Sequence, residues 1–272
     1  MADGMKKEDY TENCECGNPG AVPGGRIDIG RVTAKLDELQ DEGDFAGAER
    51  LLGYWLAEAK SISDQVGEIL IENEHVGFYR KRGQGPEALA HAERAVSLLK
   101  TYGMEDTVTA GSTWINAATA CTAFAQPEKA MEMFEKARAA YEKRLPEDDG
   151  RLGGLYNNMG LCAAALKRYP EGRKLYSDAL KVMGRVKNGE SEAAITCLNL
   201  ADLLNEEAGG GDEEALIKAA EETEQLVEKA WELLNTPSLP RDAYYRFICG
   251  KCAPVFGHYG YLEYERLLKE RA

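Results

Sequence analysis

Nowhere in the 272 residues is there an apolar run approaching the ~20 residues that a membrane span requires. The first segment, MADGMKKEDYTENCECG, also lacks the apolar stretch of a secretory signal. A soluble, cytoplasmic chain is the expectation. Cysteine is too sparse and too scattered for a disulfide scaffold: seven residues, an odd number, stand at positions 14, 16, 121, 162, 197, 249 and 252. Reduced thiols are the simpler reading. Histidine is scarcer still, with only His75, His91 and His258. They fall far apart in the repeat frame set out below, and no HExxH, GxSxG, P-loop or dinucleotide fingerprint accompanies them. No catalytic residue is assigned, the chain is read as a non-enzyme, and no cofactor is expected.

The two metal-like spacings, Cys14-x-Cys16 and Cys249-x-x-Cys252, lie at opposite ends of the chain. A tetrahedral zinc site built from both would need the N-terminal segment to reach the far end, so no metal site is expected. Cys121, Cys162 and Cys197 fall among Ala and Leu as small apolar fillers. Gly83-Gln84-Gly85 before Pro86 reads as a turn between two helices, not as a phosphate cradle. Alternating β patterns are missing as well, and no strand is needed anywhere.

What the chain has in quantity is apolar residues at helical spacing and acid. With 44% apolar and 29% charged residues it can bury a substantial core. The net charge is −14, and between Glu190 and Asn235 thirteen acidic residues face only Lys218 and Lys229. Nucleic acids and anionic lipid surfaces are held by Lys and Arg, so this block works against both as partners. It reads either as a solvated helix face or as a landing surface for something basic.

Residues 1–26, rich in Gly and Pro and poor in apolar side chains, are expected to form a flexible tail ahead of one domain spanning 27–272. From Ile27 onward the pattern is helical, and it repeats. FAGAERLL, PEALAHAERA, PEKAMEMFEKA and PEGRKLYSDA align Ala48, Ala88, Ala130 and Gly172 in one column. Leu36, Val76, Ala118, Gly160 and Ala201 make a second column, and Ala95, Ala137 and Ala179 a third. Small residues recurring in phase are what closely crossing helices require, because bulky side chains would hold the backbones apart.

Those columns resemble tetratricopeptide repeats. Trp114, Ala118, Ala130, Phe134 and Ala137 match the family's aromatic and small positions in one repeat. Tyr156, Gly160, Tyr169, Gly172, Tyr176 and Ala179 do so in the next. Val76 and Leu36 replace the small residue in the two repeats before, and a longer second helix is expected after Gly209-Gly210-Gly211. The period near 42 is similar to the longer repeats of kinesin light chains. The resemblance implies an all-α fold, a right-handed α-solenoid of about six antiparallel helix pairs near 27–64, 66–107, 108–150, 151–190, 191–237 and 240–272. It also implies a concave face, lined by first helices, that holds a protein or peptide segment.

Two residues before the small column come Asn116, Asn158 and Asn199, with Asn73 and Asn157 one place earlier in their own repeats. Asn is a poor helix former, so its recurrence in mid-helix needs a reason. Its amide can donate to and accept from a peptide backbone whatever the side chains are. In the resembled family Asn at this place clasps a bound extended segment, which implies that role for Asn116, Asn158 and Asn199. The alternative is that these amides bond neighbouring helices and set the stacking. Arg80, Thr119 and Asp202 are the remaining candidates on the equivalent face. Thr119 and Leu161 stand where a carboxylate clamp would need Lys or Arg, so capture of a free C-terminus is not favoured. A scaffold for a neutral or basic protein or peptide segment is the expected function; the other is a peptide-sensing regulatory receptor of the bacterial repeat-protein type. Such a receptor would normally add an effector module, for which 26 residues are too few.

Overall fold

A computed structural model describes residues 25–272. Most of the tail expected over 1–26, with Cys14 and Cys16, lies outside the described residues. Twelve helices follow in order: α1 Ile29–Asp41, α2 Phe45–Ser61, α3 Gln65–Lys81, α4 Gly85–Thr101, α5 Val108–Ala123, α6 Pro127–Arg144, α7 Gly150–Ala165, α8 Tyr169–Met183, α9 Glu190–Ala208, α10 Glu213–Leu234, α11 Ala243–His258 and α12 Leu262–Arg271. The described residues contain no strand. None of their helices is long and apolar enough to cross a membrane. They divide into two compact units, one ending at Ala125 and the other beginning at Gln126.

Local chemistry sets the helix boundaries. Asp28, Asp44, Asp64, Asp149, Asp212 and Asp242 each accept a hydrogen bond from a backbone N–H of the first turn they precede. Pro86, Pro127 and Pro170 occupy the first turns of α4, α6 and α8, where a missing N–H costs nothing. Several of the turns use one device. In the three-residue turns after α1, α3, α7 and α11, a backbone N–H reaches back five residues: Asp44 to Leu39, Gln84 to Tyr79, Arg168 to Ala163 and Tyr261 to Phe256, at 2.8–2.9 Å. Such a bond needs a left-handed residue just before it. Gly43, Gly83 and Gly260 supply it freely, whereas Lys167 adopts it at φ 57° despite its side chain. The connections between α4 and α5, α8 and α9, and α10 and α11 are longer and irregular.

The small columns lie in the core as the periodicity predicts: Ala48, Ala88, Ala95, Ala118, Ala130, Ala137, Ala179 and Ala201 are all fully buried. The crossings of α7 on α8 and of α8 on α9 are close. A methyl group on Gly160 would sit 2.5 Å from Tyr176 Cε1, and one on Gly172 would sit 2.4 Å from Leu203 Cδ1. Tyr176, Leu203 and Leu204 form a small buried cluster there. In the first unit Leu36, Leu51, Leu52, Trp55, Ile71 and Phe78 make the core of α1–α4. The end of the second unit is sealed by Val227, Leu234, Ile248, Phe256 and Leu268 of α10–α12. The expected longer second helix is present as α10, with 22 residues.

Candidate functional site

The recurrent asparagines fall into two groups. Asn73 on α3 donates its amide to Thr113 Oγ1 of α5 at 2.9 Å, both residues being buried. Asn199 on α9 donates to Asn157 Oδ1 of α7 at 3.0 Å. Each bond ties the first helix of one pair to the first helix of the next. Asn116 and Asn158 differ: both are half-buried, and neither side chain makes a hydrogen bond with the described residues. Asn158 borders a cleft of about 430 Å³ lined by Gly150, Arg151, Gly154, Asn157, Val186 and Glu192. Gly154 leaves its floor open, since a methyl group there would meet nothing within 4 Å. Arg151 is held to one side by a two-point pairing with Asp149 at 2.7 and 2.9 Å. Burial pushes the Glu192 carboxyl above its usual range.

The other candidates are placed as follows. Arg80 is exposed near the end of α3. Thr119 donates its hydroxyl to the Asn116 carbonyl, a bond within its own helix. Asp202 of α9 accepts from the Tyr259 hydroxyl of α11 at 2.5 Å. The two residues share a second cavity of about 430 Å³ with Asn205, Glu206, Pro254, Val255 and His258. Burial, and then the bond to Asp202, hold the Tyr259 phenol well above its usual value. Part of the acidic block is compensated internally: Arg173 of α8 reaches Glu207 at 2.6 Å and Glu222 at 3.4 Å.

One constellation escaped the sequence reading. His75 of α3 and His91 of α4 are not far apart; their rings stack at 4.2 Å with planes 7° from parallel. The Tyr79 ring lies beside both, 5.3 Å from His91 and 6.1 Å from His75. His91 Nδ1 lies 2.5 Å from Glu72 Oε2, and His75 Nδ1 lies 3.0 Å from the Ile71 carbonyl. Glu72 is 1% exposed and His75 4%. Burial depresses the His75 imidazole to about 4, with the nearby His91 adding to the effect. Burial alone would raise the Glu72 carboxyl, but the His91 bond and the charges of His91 and Arg94 outweigh it and leave it lowered. One turn earlier, Glu68 accepts from Tyr102, whose phenol is pushed up to about 12 by that bond and by burial. A polar seam therefore runs between α3 and α4. The signal in the sequence was the pair Glu72 and His75, one helical turn apart. Only the way α4 folds back onto α3 places His91 beside them.

Three thiols of the second unit, Cys197, Cys249 and Cys252, are buried. Burial pushes Cys197 up to about 11 and Cys252 up to about 12, and raises Cys249 as well.

Comparison with known proteins bears on the fold. A family model described as tetratricopeptide repeat matches residues 68–143, the stretch from α3 to α6. No curated protein matches the chain in sequence. The crystal structure of BtubC (BKLC) from P. vanneervenii is similar over 79% of this chain and 84% of its own, with a TM-score of 0.67 and 20% identity. A Rap protein crystallised in complex with competence and sporulation factor is similar over 89% of this chain and 72% of its own, with a TM-score of 0.54 and 16% identity. A Podosopora anserina putative kinesin light chain with nearly identical TPR-like repeats aligns over 74% of this chain and 90% of its own, with a TM-score of 0.50 and 16% identity. At such identities the likeness speaks for the fold alone. Residues 68–143 thus match tetratricopeptide repeats by sequence, and the helices around them share the fold of solved tetratricopeptide-like repeat proteins.

Proposed function

We propose that the chain holds an extended segment of a partner against the first helices of its repeats, through side-chain amides that bond the partner's backbone. The observation that carries this reading is Asn158, a helix-interior amide with no hydrogen bond to the described residues, at the edge of an open, glycine-floored cleft. A half-buried amide forgoes part of its hydration, and a peptide N–H or C=O restores it. Asn116 offers the same group in the first unit. Asn73, Asn157 and Asn199 spend their amides on helix stacking and support the site from behind. The partner is a neutral or basic protein or peptide segment, with neither nucleic acid nor membrane involved, and the encounter takes place in the cytoplasm. No chemistry is assigned to the chain.

A second reading, a receptor for a short signalling peptide, is favoured by the similarity to the Rap protein bound to competence and sporulation factor. The two readings share the site and differ in ligand length. The test is selection of binding peptides from a random library on the immobilised chain, followed by affinity measurement with Asn158→Ala, Asn116→Ala and Asn199→Ala. Loss of one neutral hydrogen bond is worth about 0.5–1.5 kcal/mol, so the first two should each weaken binding roughly two- to tenfold. Unchanged affinity in both would sink the proposal. Retention of full affinity in peptides cut to about five or six residues would favour the receptor.

A further inference from the structure

The chain has a second site, in the first unit, that this function does not use. We propose that Glu72, His75 and His91 form a binding site for one divalent transition ion of the zinc type, which clips α3 to α4.

The donor set comes first. A carboxylate and two imidazoles suit zinc and its neighbours, whereas calcium and magnesium require shells of oxygen. One donor atom from each of the three side chains lies within 4.8 Å of the other two. In a tetrahedral zinc site with bonds near 2.0–2.2 Å the donors stand about 3.3 Å apart. Closure therefore takes movements of about 1 Å, which side-chain torsions supply without shifting either helix.

The surroundings are those of a prepared site. Metal-bound histidines are commonly fixed by a hydrogen bond from the other ring nitrogen to a backbone carbonyl or carboxylate. His75 has this bond already: its Nδ1 faces the Ile71 carbonyl and must carry the proton, which leaves Nε2 as the bare nitrogen. Glu72 is a nearly water-free carboxylate, and buried charges of this kind are either paired or coordinated. Its present bond to His91 Nδ1 occupies the line along which an ion would bridge the same two atoms.

Two adjustments are required, and each falls on a residue with room to make it. The parallel rings cannot both aim an in-plane lone pair at one ion, so one must turn out of the stack. His91, whose side chain is 11% exposed and is not tied to the backbone through its ring, is the one that turns. Arg94 approaches Glu72 at 3.8 Å but is 56% exposed, so it withdraws into solvent and opens the route by which the ion enters. Three protein donors leave the fourth position to water.

The experiment uses the full chain, stripped with a chelator, with Zn2+ alone or Co2+ alone as the probe. The chain contains three histidines, so ring NMR signals report each one separately. At one equivalent of Zn2+ the signals of His75 and His91 should move and that of His258 should stay. Co2+ should give visible absorption without the near-ultraviolet band of thiolate ligation. Glu72→Gln and His91→Gln should each lower affinity at least tenfold, since losing even a hydrogen-bonding partner of a metal ligand costs about ten- to a hundredfold. If either variant fails to fold, the wild-type histidine signals still decide. Unmoved His75 and His91 signals in excess Zn2+, movement of His258 instead, or a thiolate band that disappears on cysteine replacement would overturn the site.

Discussion

Asn199 donates its side-chain amide to Asn157 at 3.0 Å, joining α9 to α7 one repeat earlier. Asn158, the next residue, points its own amide at no described partner. Adjacent asparagines on one helix thus divide into a stacking element and an open one, and their substitutions should separate accordingly. Asn199→Ala leaves the Asn157 carbonyl, which is 9% exposed, without its donor. Set against the better helix propensity of Ala, the net loss should be about 1 kcal/mol in urea unfolding. Asn158→Ala should be neutral or slightly stabilising in the same assay. Equal losses from both would remove the distinction on which the proposed site rests.

Gly160 meets Tyr176 where α7 crosses α8, and Tyr176 is fully buried and cannot move aside. Gly160→Ala should therefore destabilise the second unit by about 1–3 kcal/mol, although Ala is the better helix former. Chemical denaturation will measure this. Gly160→Ala combined with Tyr176→Phe should recover little, since the clash is with ring carbons and not with the hydroxyl.

Lys167 holds φ 57° in the turn between α7 and α8. The left-handed conformation costs a residue with a Cβ about 1–2 kcal/mol, and glycine gives back part of that advantage through its freedom in the unfolded chain. Lys167→Gly should raise stability by about 0.5–1 kcal/mol. A fall in melting temperature would mean that the lysine stem packs well enough to offset the strain.

The buried thiols of Cys197, Cys249 and Cys252 are raised in the fold relative to the unfolded chain. The folded state therefore holds their protons more tightly than the unfolded state. Their contribution to stability is complete below the ordinary thiol value of 9.0, and it is lost as pH rises toward the folded values, about 11 for Cys197 and 12 for Cys252. Alkaline unfolding should set in above pH 9.0 and shift to higher pH in Cys252→Ala. Near neutrality the three thiols should resist alkylation until denaturant is added, with mass spectrometry locating the labels. Rapid labelling of Cys252 in the native chain would contradict the burial.

The helices and their crossings were legible in the sequence because the requirement behind them is local and repeated. Each tight crossing needs a small residue, and Ala48, Ala88, Ala130 and Gly172 return at nearly constant intervals. The division of the asparagines was not legible. The repeat frame aligns Asn158 with Asn199, yet the bond joins Asn157 to Asn199, because the meeting of two side chains depends on the rotation of each helix about its own axis and a shift of one residue turns a side chain by about 100°. The seam of Glu72, His75 and His91 was hidden for a related reason. Its members come from two helices that run in opposite directions, and sequence distance across a reversal carries no trace of which side chains face each other.

The turns closed by a five-residue bond and the connections without one have unequal freedom. Asp44, Gln84, Arg168 and Tyr261 each close a reversal by a bond back across five residues, and an inserted residue would break that bond and misdirect the second helix. Asp64 and Met104 close the turns after α2 and α4 in the same way, at 2.9 and 2.8 Å, whereas the segments 184–189 and 235–242 carry no such closure. Growth of the array in evolution, or the grafting of a loop by design, is thereby channelled to the segments 184–189 and 235–242, ahead of α9 and α11. Helices joined by a closed turn behave as a sealed cassette whose spacing from the next can be retuned at those segments without disturbing its interior.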